Sequence, residues 1–241
     1  MKNKKILFSL ILISFLGACQ KKFKCKSYNS EIISQTVNVS EFSKINLEMH
    51  ADIYYTQGDN QSVTIEAPTK LMEHISSTVF QNTLKLDLEN DFCFSNKKAI
   101  KIFIVTPELN EIDIEGSGDF KIENLLTTEN LKLKISGSGD FYADSLSVNI
   151  FNTSISGSGD IFASGIDTMS QQTIKISGSG DIDLMGLPCS ETSISISGSG
   201  DCKVNSIDNL DVKISGSGEV RYVGNPTVNS DITGSGSVKQ F

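Results

Sequence analysis

The sequence predicts an all-β chain: a right-handed parallel β-helix of about 20-residue coils, preceded by a β-rich N-terminal capping part. The first observation is a phrase written seven times: EGSGD (115–119), SGSGD (136–140, 156–160, 177–181 and 197–201), SGSGE (215–219) and TGSGS (233–237). The second is its period. Asp119, Asp140, Asp160, Asp181, Asp201, Glu219 and Ser237 close the copies at steps of 21, 20, 21, 20, 18 and 18 residues. A fixed period of that size marks a solenoid. The third is the text on either side. Leu131–Ile135, Thr173–Ile176, Thr192–Ile196 and Leu210–Ile214 precede a phrase, and Phe120–Ile122, Phe141–Ala143, Ile161–Ala163, Ile182–Leu184 and Cys202–Val204 follow one. All alternate apolar with polar, the pattern of strands with one buried face.

Carried through the phrase, the alternation puts Ile135, Gly137, Gly139, Phe141 and Ala143 on one face, with Ser136, Ser138, Asp140 and Tyr142 on the other. Two readings of the glycines are open. They sit where a side chain would crowd the interior, or they supply a bend that needs positive φ. A short loop with turn residues follows, such as Gly186-Leu187-Pro188 or Gly224-Asn225-Pro226. Leu125, Leu146, Ile166, Leu187 and Ile207 are expected to plug one interior column from these loops. One coil cannot bury enough surface to order itself, so stability comes from stacking. Right-handed winding is expected because parallel crossovers are right-handed in ~98% of cases. The six-residue period of a left-handed helix is not seen.

In chain order, residues 1–18 read as a signal peptide. Lys2, Lys4 and Lys5 precede an apolar run from Ile6 to Leu16, too short to span a bilayer. Leu16-Gly17-Ala18-Cys19 resembles a bacterial lipobox, which would make Cys19 the lipid-attachment residue and membrane anchor. Residues 19–40 are expected as a tether, with Lys21, Lys22, Lys24 and Lys26 near the anchor. Loss of Lys2, Lys4 and Lys5 with residues 1–18 takes the formal charge from −8 to −11. That balance argues against nucleic acid as a partner.

Residues 41–241 are expected as one domain, with 41–110 as the N-terminal part and 111–241 as the phrase-bearing coils. Candidate strands in the first part are Ile45–His50, Ile53–Thr56, Val63–Glu66, Thr83–Leu88 and Ile100–Val105. Gln57-Gly58-Asp59-Asn60 reads as a hairpin turn and Thr69–Ile75 as one helical turn. This part should cap the first coil, because a bare solenoid end exposes a strand edge. Cys202 takes the apolar slot held elsewhere by Phe120, Phe141, Ile161 and Ile182, and so reads as a buried hydrophobe. Cys189 falls in a loop. A Cys25–Cys93 bridge would suit an oxidising periplasm. The absence of Cys-x-x-Cys argues against a metal site.

The lipobox, the opening Phe42-Ser43-Lys44-Ile45-Asn46-Leu47, and Val105-Thr106-Pro107-Glu108-Leu109 running into Ile114-Glu115-Gly116-Ser117-Gly118-Asp119 and the repeats together resemble the head GIN domain family of auto-transporter adhesins of Bacteroidetes. The resemblance covers about 41–225. It implies a right-handed parallel β-helix and an adhesive role, and the lipobox adds the expectation of an outer-membrane lipoprotein facing the periplasm or the cell surface. No Gly-Ile-Asn tripeptide occurs; Gly165-Ile166-Asp167 comes nearest. Acidic residues after the lipidated Cys favour surface display in such lipoproteins, and here Gln20-Lys21-Lys22 follows. No catalytic residue carries over.

The most site-like feature is the outward column Asp119, Asp140, Asp160, Asp181, Asp201 and Glu219. Stacked strands lie ~4.8 Å apart, where carboxylates repel unless compensated. A calcium ladder is one way to compensate. Acceptance of backbone N–H bonds at the bend is the favoured one. Catalysis has little to stand on. Arg221 is the only arginine, His50 and His74 lie in no motif and are expected to face solvent, and there is no tryptophan. Paired acids for glycoside cleavage could be picked from any two coils, so that match carries no weight. The preferred reading is a non-catalytic, lipid-anchored envelope protein that uses no cofactor and meets a glycan or protein ligand through a repeated Ser/Asp-rich face. The alternative is a carbohydrate-active β-helix enzyme, a polysaccharide lyase or hydrolase.

Overall fold

The computed structural model describes residues 30–89 and 100–241. The N-terminal part contains β1 (Ile32–Val37), β2 (Lys44–Leu47), β3 (Asp52–Gln57), β4 (Ser62–Pro68), the helical turn α1 (Thr69–Met72), β5 (Ile75–Phe80), β6 (Thr83–Leu88) and β7 (Lys101–Thr106). Then come β8 (Glu111–Ile114), β9 (Phe120–Ile122), β10 (Leu126–Ile135), β11 (Phe141–Ile155), β12 (Ile161–Gly165), β13 (Met169–Ile176), β14 (Ile182–Ile196) and β15 (Cys202–Gly216). The chain closes with β16 (Glu219–Val223), β17 (Thr227–Gly234) and β18 (Ser237–Gln240). From 111 to 240 this is a β-solenoid of about six turns with coils of about 20 residues.

Each coil contributes one strand before its phrase and one after, and equivalent strands stack in parallel. Ahead of the phrase, β2, β8 and β10 are followed by the end of β11, then β13, the ends of β14 and β15, and β17. Behind it, β3, β9, the start of β11, β12, the starts of β14 and β15, β16 and β18 form a second stack. The alternation explains the core. In β10 to β15 the apolar residues of each pair point inward and are nearly all under 5% exposed. Phe120 stacks on Tyr55 at 6.3 Å and on Phe141 at 6.0 Å, so one aromatic column crosses three coils. Cys202 is fully buried in the slot expected for it, and burial pushes its thiol pKa up.

The N-terminal part begins the solenoid as well as capping it. β2 and β3 form a coil lying between β6 and β7 on one side and β8 and β9 on the other. Antiparallel pairing is confined to the far end, in β5–β6, β4–β7 and β1–β4. Reversing strand direction there closes the parallel stack.

Several expectations need correction. Part of the stretch expected as tether is a strand: Ile32–Val37 pairs with β4 over six positions. Its hydrophobic alternation is weak, since an edge strand gains as much from backbone bonds as from burial. Residues 57–60 connect β3 to β4, but these strands do not pair; β7 lies between them. The true hairpin is β5–β6. Phe80 faces Thr83 across Gln81 and Asn82, whose φ values of 48° and 65° make the doubly positive turn that matches strand twist. Cys189 is not in a loop but buried within β14. The plug column holds only in part. Leu146 and Leu187 are buried, whereas Leu125, Ile166 and Ile207 are 40%, 64% and 40% exposed. Leu126 takes the inner place in its coil, Gly165 is closely overlain by Leu187, and Ser206 turns inward to donate to the Asn209 carbonyl. Register shifts between coils of unequal length make each loop solve the corner separately. Residues 1–18, Cys19, the basic stretch, Cys25 and Cys93 lie outside the described residues.

Candidate functional site

The phrase is where coils come closest, and the geometry decides between the two readings of its glycines. Among them only Gly234 has positive φ. Close approach is the reason instead. A Cβ on Gly137 would lie 1.7 Å from the Gly116 carbonyl oxygen, and one on Gly157 would lie 1.8 Å from that of Gly137. Gly139, Gly159, Gly180 and Gly200 meet the preceding coil at 1.9–2.0 Å in the same way. The crowding carbonyls are also acceptors. Ser138 N–H donates to Gly116 O, Ser158 N–H to Gly137 O and Ser179 N–H to Gly157 O, each at 3.1 Å.

The acidic residue completes this ladder. At the end of each phrase the Asp carbonyl accepts from the preceding coil, as Asp160 O does from Phe141 N–H at 2.9 Å. The Asp N–H has no backbone carbonyl opposite it, and the Asp side chain below supplies the acceptor. Asp140 N–H donates to Asp119 Oδ1 (3.1 Å), Asp160 N–H to Asp140 Oδ1 (2.8 Å), and Asp181 N–H to Asp160 Oδ1 (2.7 Å). Asp201 and Glu219 continue it upward, each at 2.7 Å. The favoured role of the column, acceptance of backbone N–H bonds, is what this geometry contains. The other oxygen of Asp140 accepts the Tyr142 hydroxyl at 2.9 Å, and that carboxylate, with burial, pushes the Tyr142 pKa up to about 12.

One member of the column was missed. Asp52 Oδ1 accepts from Asp119 N–H at 3.3 Å. Gly116 packs on the Met49 carbonyl and Gly118 on that of Ala51. Glu48-Met49-His50-Ala51-Asp52 is therefore an eighth phrase with Met and Ala in the glycine places. The signal was present in the frame of Glu, alternate small or apolar positions and Asp, followed by Ile53. The backbone neighbours below it, Leu86 and Ile100, are separated in sequence by far more than a phrase. His50 Nδ1 lies 3.1 Å from Ser117 Oγ, and His74 pairs with Glu89 at 2.9 Å.

At the top of the column Glu219 departs from the pattern. Its carboxylate contacts Arg221, Lys239 and Ser237 Oγ, and the two cations, Lys239 first, hold its pKa down to about 2. A depressed carboxylate contributes stability above its unfolded pKa of roughly 4.3 and loses it as pH falls toward the folded value. Hydrogen exchange is therefore expected to show β16 and β18 loosening ahead of the other coils as pH drops from 5 to 2. Glu219→Gln should remove that pH dependence; an unchanged profile in the variant would contradict the assignment.

Among the described residues no three His, Cys, Asp or Glu side chains converge in a way that could hold a metal ion. The backbone ladder already compensates the Asp column. Chelation is thus expected to leave the melting temperature within a few degrees. A fall of more than ~8 °C, on the order of 2 kcal/mol for a domain of this size, would restore the cation ladder. Among the described residues no helix is long and apolar enough to cross a membrane.

Fold and site together define a β-solenoid that presents repeated side-chain columns. The chain matches, over residues 41–226, the family described as "Putative auto-transporter adhesin, head GIN domain", and it belongs to that family. It is similar to a crystal structure of a putative adhesin from Bacteroides fragilis, with 31% identity, a TM-score of 0.85, and coverage of 89% of this chain and 99% of that one. A putative lipid binding protein from Parabacteroides distasonis shares 23% identity at a TM-score of 0.76, covering 90% of this chain and 100% of that one. A putative adhesin from Parabacteroides distasonis shares 21% identity at a TM-score of 0.73, with the same coverage. These two likenesses speak to the fold alone. No curated protein matches the chain significantly.

Proposed function

We propose that the protein is a non-catalytic adhesive module of the cell envelope, an outer-membrane lipoprotein anchored through Cys19 and facing the periplasm or the cell surface. The observation that carries the adhesive reading is membership of the adhesin family over residues 41–226, on a solenoid whose outer columns repeat from coil to coil. The lipobox ending at Cys19 supports the anchor, since two or more acyl chains hold a protein stably where one does not. Regular Ser and Asp side chains at each phrase support a surface built for repeated contact. The similar structures described above are those of putative adhesins and a putative lipid binding protein.

The test is a binding array of glycans and extracellular-matrix proteins probed with the purified chain, read beside an assay for polysaccharide cleavage. Saturable binding without cleavage is the expected result. Cleavage of any bound glycan would overturn the non-catalytic reading. An array silent throughout would overturn adhesion.

A further inference from the structure

Parallel register lines up one column that no single coil reveals. Two residues beyond the Asp column, on the outer face, Phe103, Tyr54, Lys121, Tyr142 and Phe162 stack in successive coils. Phe103, Tyr142 and Phe162 are 37%, 40% and 41% exposed, and Tyr54 stacks on Phe103 at 5.3 Å. Higher coils carry Asp183, Lys203, Arg221 and Lys239 at the same place. Nothing in the core needs aromatics at these outward positions. The rings fall into two pairs, Phe103 with Tyr54 and Tyr142 with Phe162, separated by Lys121, and apolar rings held outward on one face mark an interaction surface.

Its upper end opens into a groove of about 390 Å³ between Tyr142, Phe162, Asp160, Asp181 and Asp201. Charge decides what fits there. Asp119, Asp140 and Asp160 flank the rings on one side, and Glu123 and Asp144 lie two residues beyond them on the other. The cations nearby are engaged: Lys121 with Glu123 at 3.0 Å, Lys203 with Asp183 at 3.2 Å, and Lys101 over the Tyr54 ring at 5.7 Å. Lys101 shows on this same surface how an ammonium sits on one of these rings. The ladder uses one oxygen of each column carboxylate and leaves the negative charge in place, and a cationic side chain meets that charge where a neutral or anionic group does not. Guanidinium and ammonium groups also bind ring faces and form charge-assisted bonds to carboxylates.

We propose that the Tyr142–Phe162 groove and the aromatic row below it dock an extended basic segment of a partner protein, with arginine or lysine side chains over the rings and between the carboxylates. This rests on the adhesive reading and names its ligand class. The chain's net charge of −8 favours the same encounter.

The probes are an arginine nonamer and, as the neutral alternative, cellohexaose, titrated against the purified chain by calorimetry. The nonamer is expected to bind at 50 mM NaCl and to weaken at least tenfold by 300 mM. Tyr142→Ala with Phe162→Ala should weaken it at least tenfold at low salt, with the circular dichroism spectrum and melting temperature unchanged. Asp211→Asn, on the stack ahead of the phrase, should change it less than twofold. Nonamer binding indifferent to the aromatic pair would mean general charge attraction and would overturn the proposal. Cellohexaose binding lost in the aromatic variant, with the nonamer silent, would overturn the basic ligand while leaving adhesion in place. Silence of both probes would overturn the groove, and the array then reports on adhesion independently.

Discussion

Gly157→Ala should lower the melting temperature by roughly 6–12 °C or more, corresponding to ~3 kcal/mol in a domain of this length. The new Cβ would stand 1.8 Å from the Gly137 carbonyl oxygen, and that atom is backbone. No rotamer change can clear it, so the two coils must part. Parting them stretches the bond from Ser158 N–H to Gly137 O and disturbs the bond from Asp160 N–H to Asp140 Oδ1. Overpacking of rigid cores costs ~1–3 kcal/mol, and a clash with backbone belongs at or beyond the top of that range. Ser158→Ala in the same phrase is the control. Its side chain faces solvent and its N–H survives, so its effect should stay within ~0.5 kcal/mol. Calorimetry of both variants checks the pair, and equal effects would contradict the close-approach explanation.

Cys19→Ala should move the protein from the membrane fraction to the soluble fraction. The effect is all-or-none because the anchor would be covalent lipid, and partition scales with each buried methylene. Wild type expressed in a Gram-negative host should pellet with membranes and begin at an acylated Cys19 by mass spectrometry. An unmodified wild-type N-terminus at residue 20 or beyond would contradict the anchor.

What could be read from residues alone follows from what repeats. The coils were legible because Ile135, Gly137, Gly139 and Phe141 recur in frame with Ile155, Gly157, Gly159 and Ile161. The first coil was harder to see because Met49 and Ala51 replace the two glycines, which erases the phrase but keeps its frame. β1 looks like tether in sequence because an edge strand carries little hydrophobic alternation. The β5–β6 hairpin is hidden in sequence because Gln81 and Asn82 adopt positive φ without a glycine to announce it. The corner residues Leu125, Ile166 and Ile207 look like Leu146 and Leu187 in sequence, and only their burial in the fold separates them. The Asp column and its acceptance of backbone N–H bonds are legible in sequence, but turn chemistry points to donors within the same bend, and only the register shows that the donor is the next coil's Asp amide. The aromatic row was not visible. Phe103, Tyr54, Tyr142 and Phe162 sit at unequal sequence distances, and register alone aligns them.

The phrase-bearing coils are equivalent units, each held by its two neighbours. Deleting residues 161–181 tests that equivalence most directly. Ile161 and Ile182 occupy the same place in successive coils, so joining Asp160 to Ile182 removes one whole period and keeps both stacks in register. Asp160 Oδ1 would then meet the Asp201 amide as it meets that of Asp181 now. Thermal unfolding followed by far-ultraviolet circular dichroism is the measurement. A cooperative β-sheet transition at a modestly lower temperature is predicted, because stability in a solenoid grows by neighbour increments. Loss of the β signal or aggregation of the purified variant at room temperature would contradict equivalence of the coils.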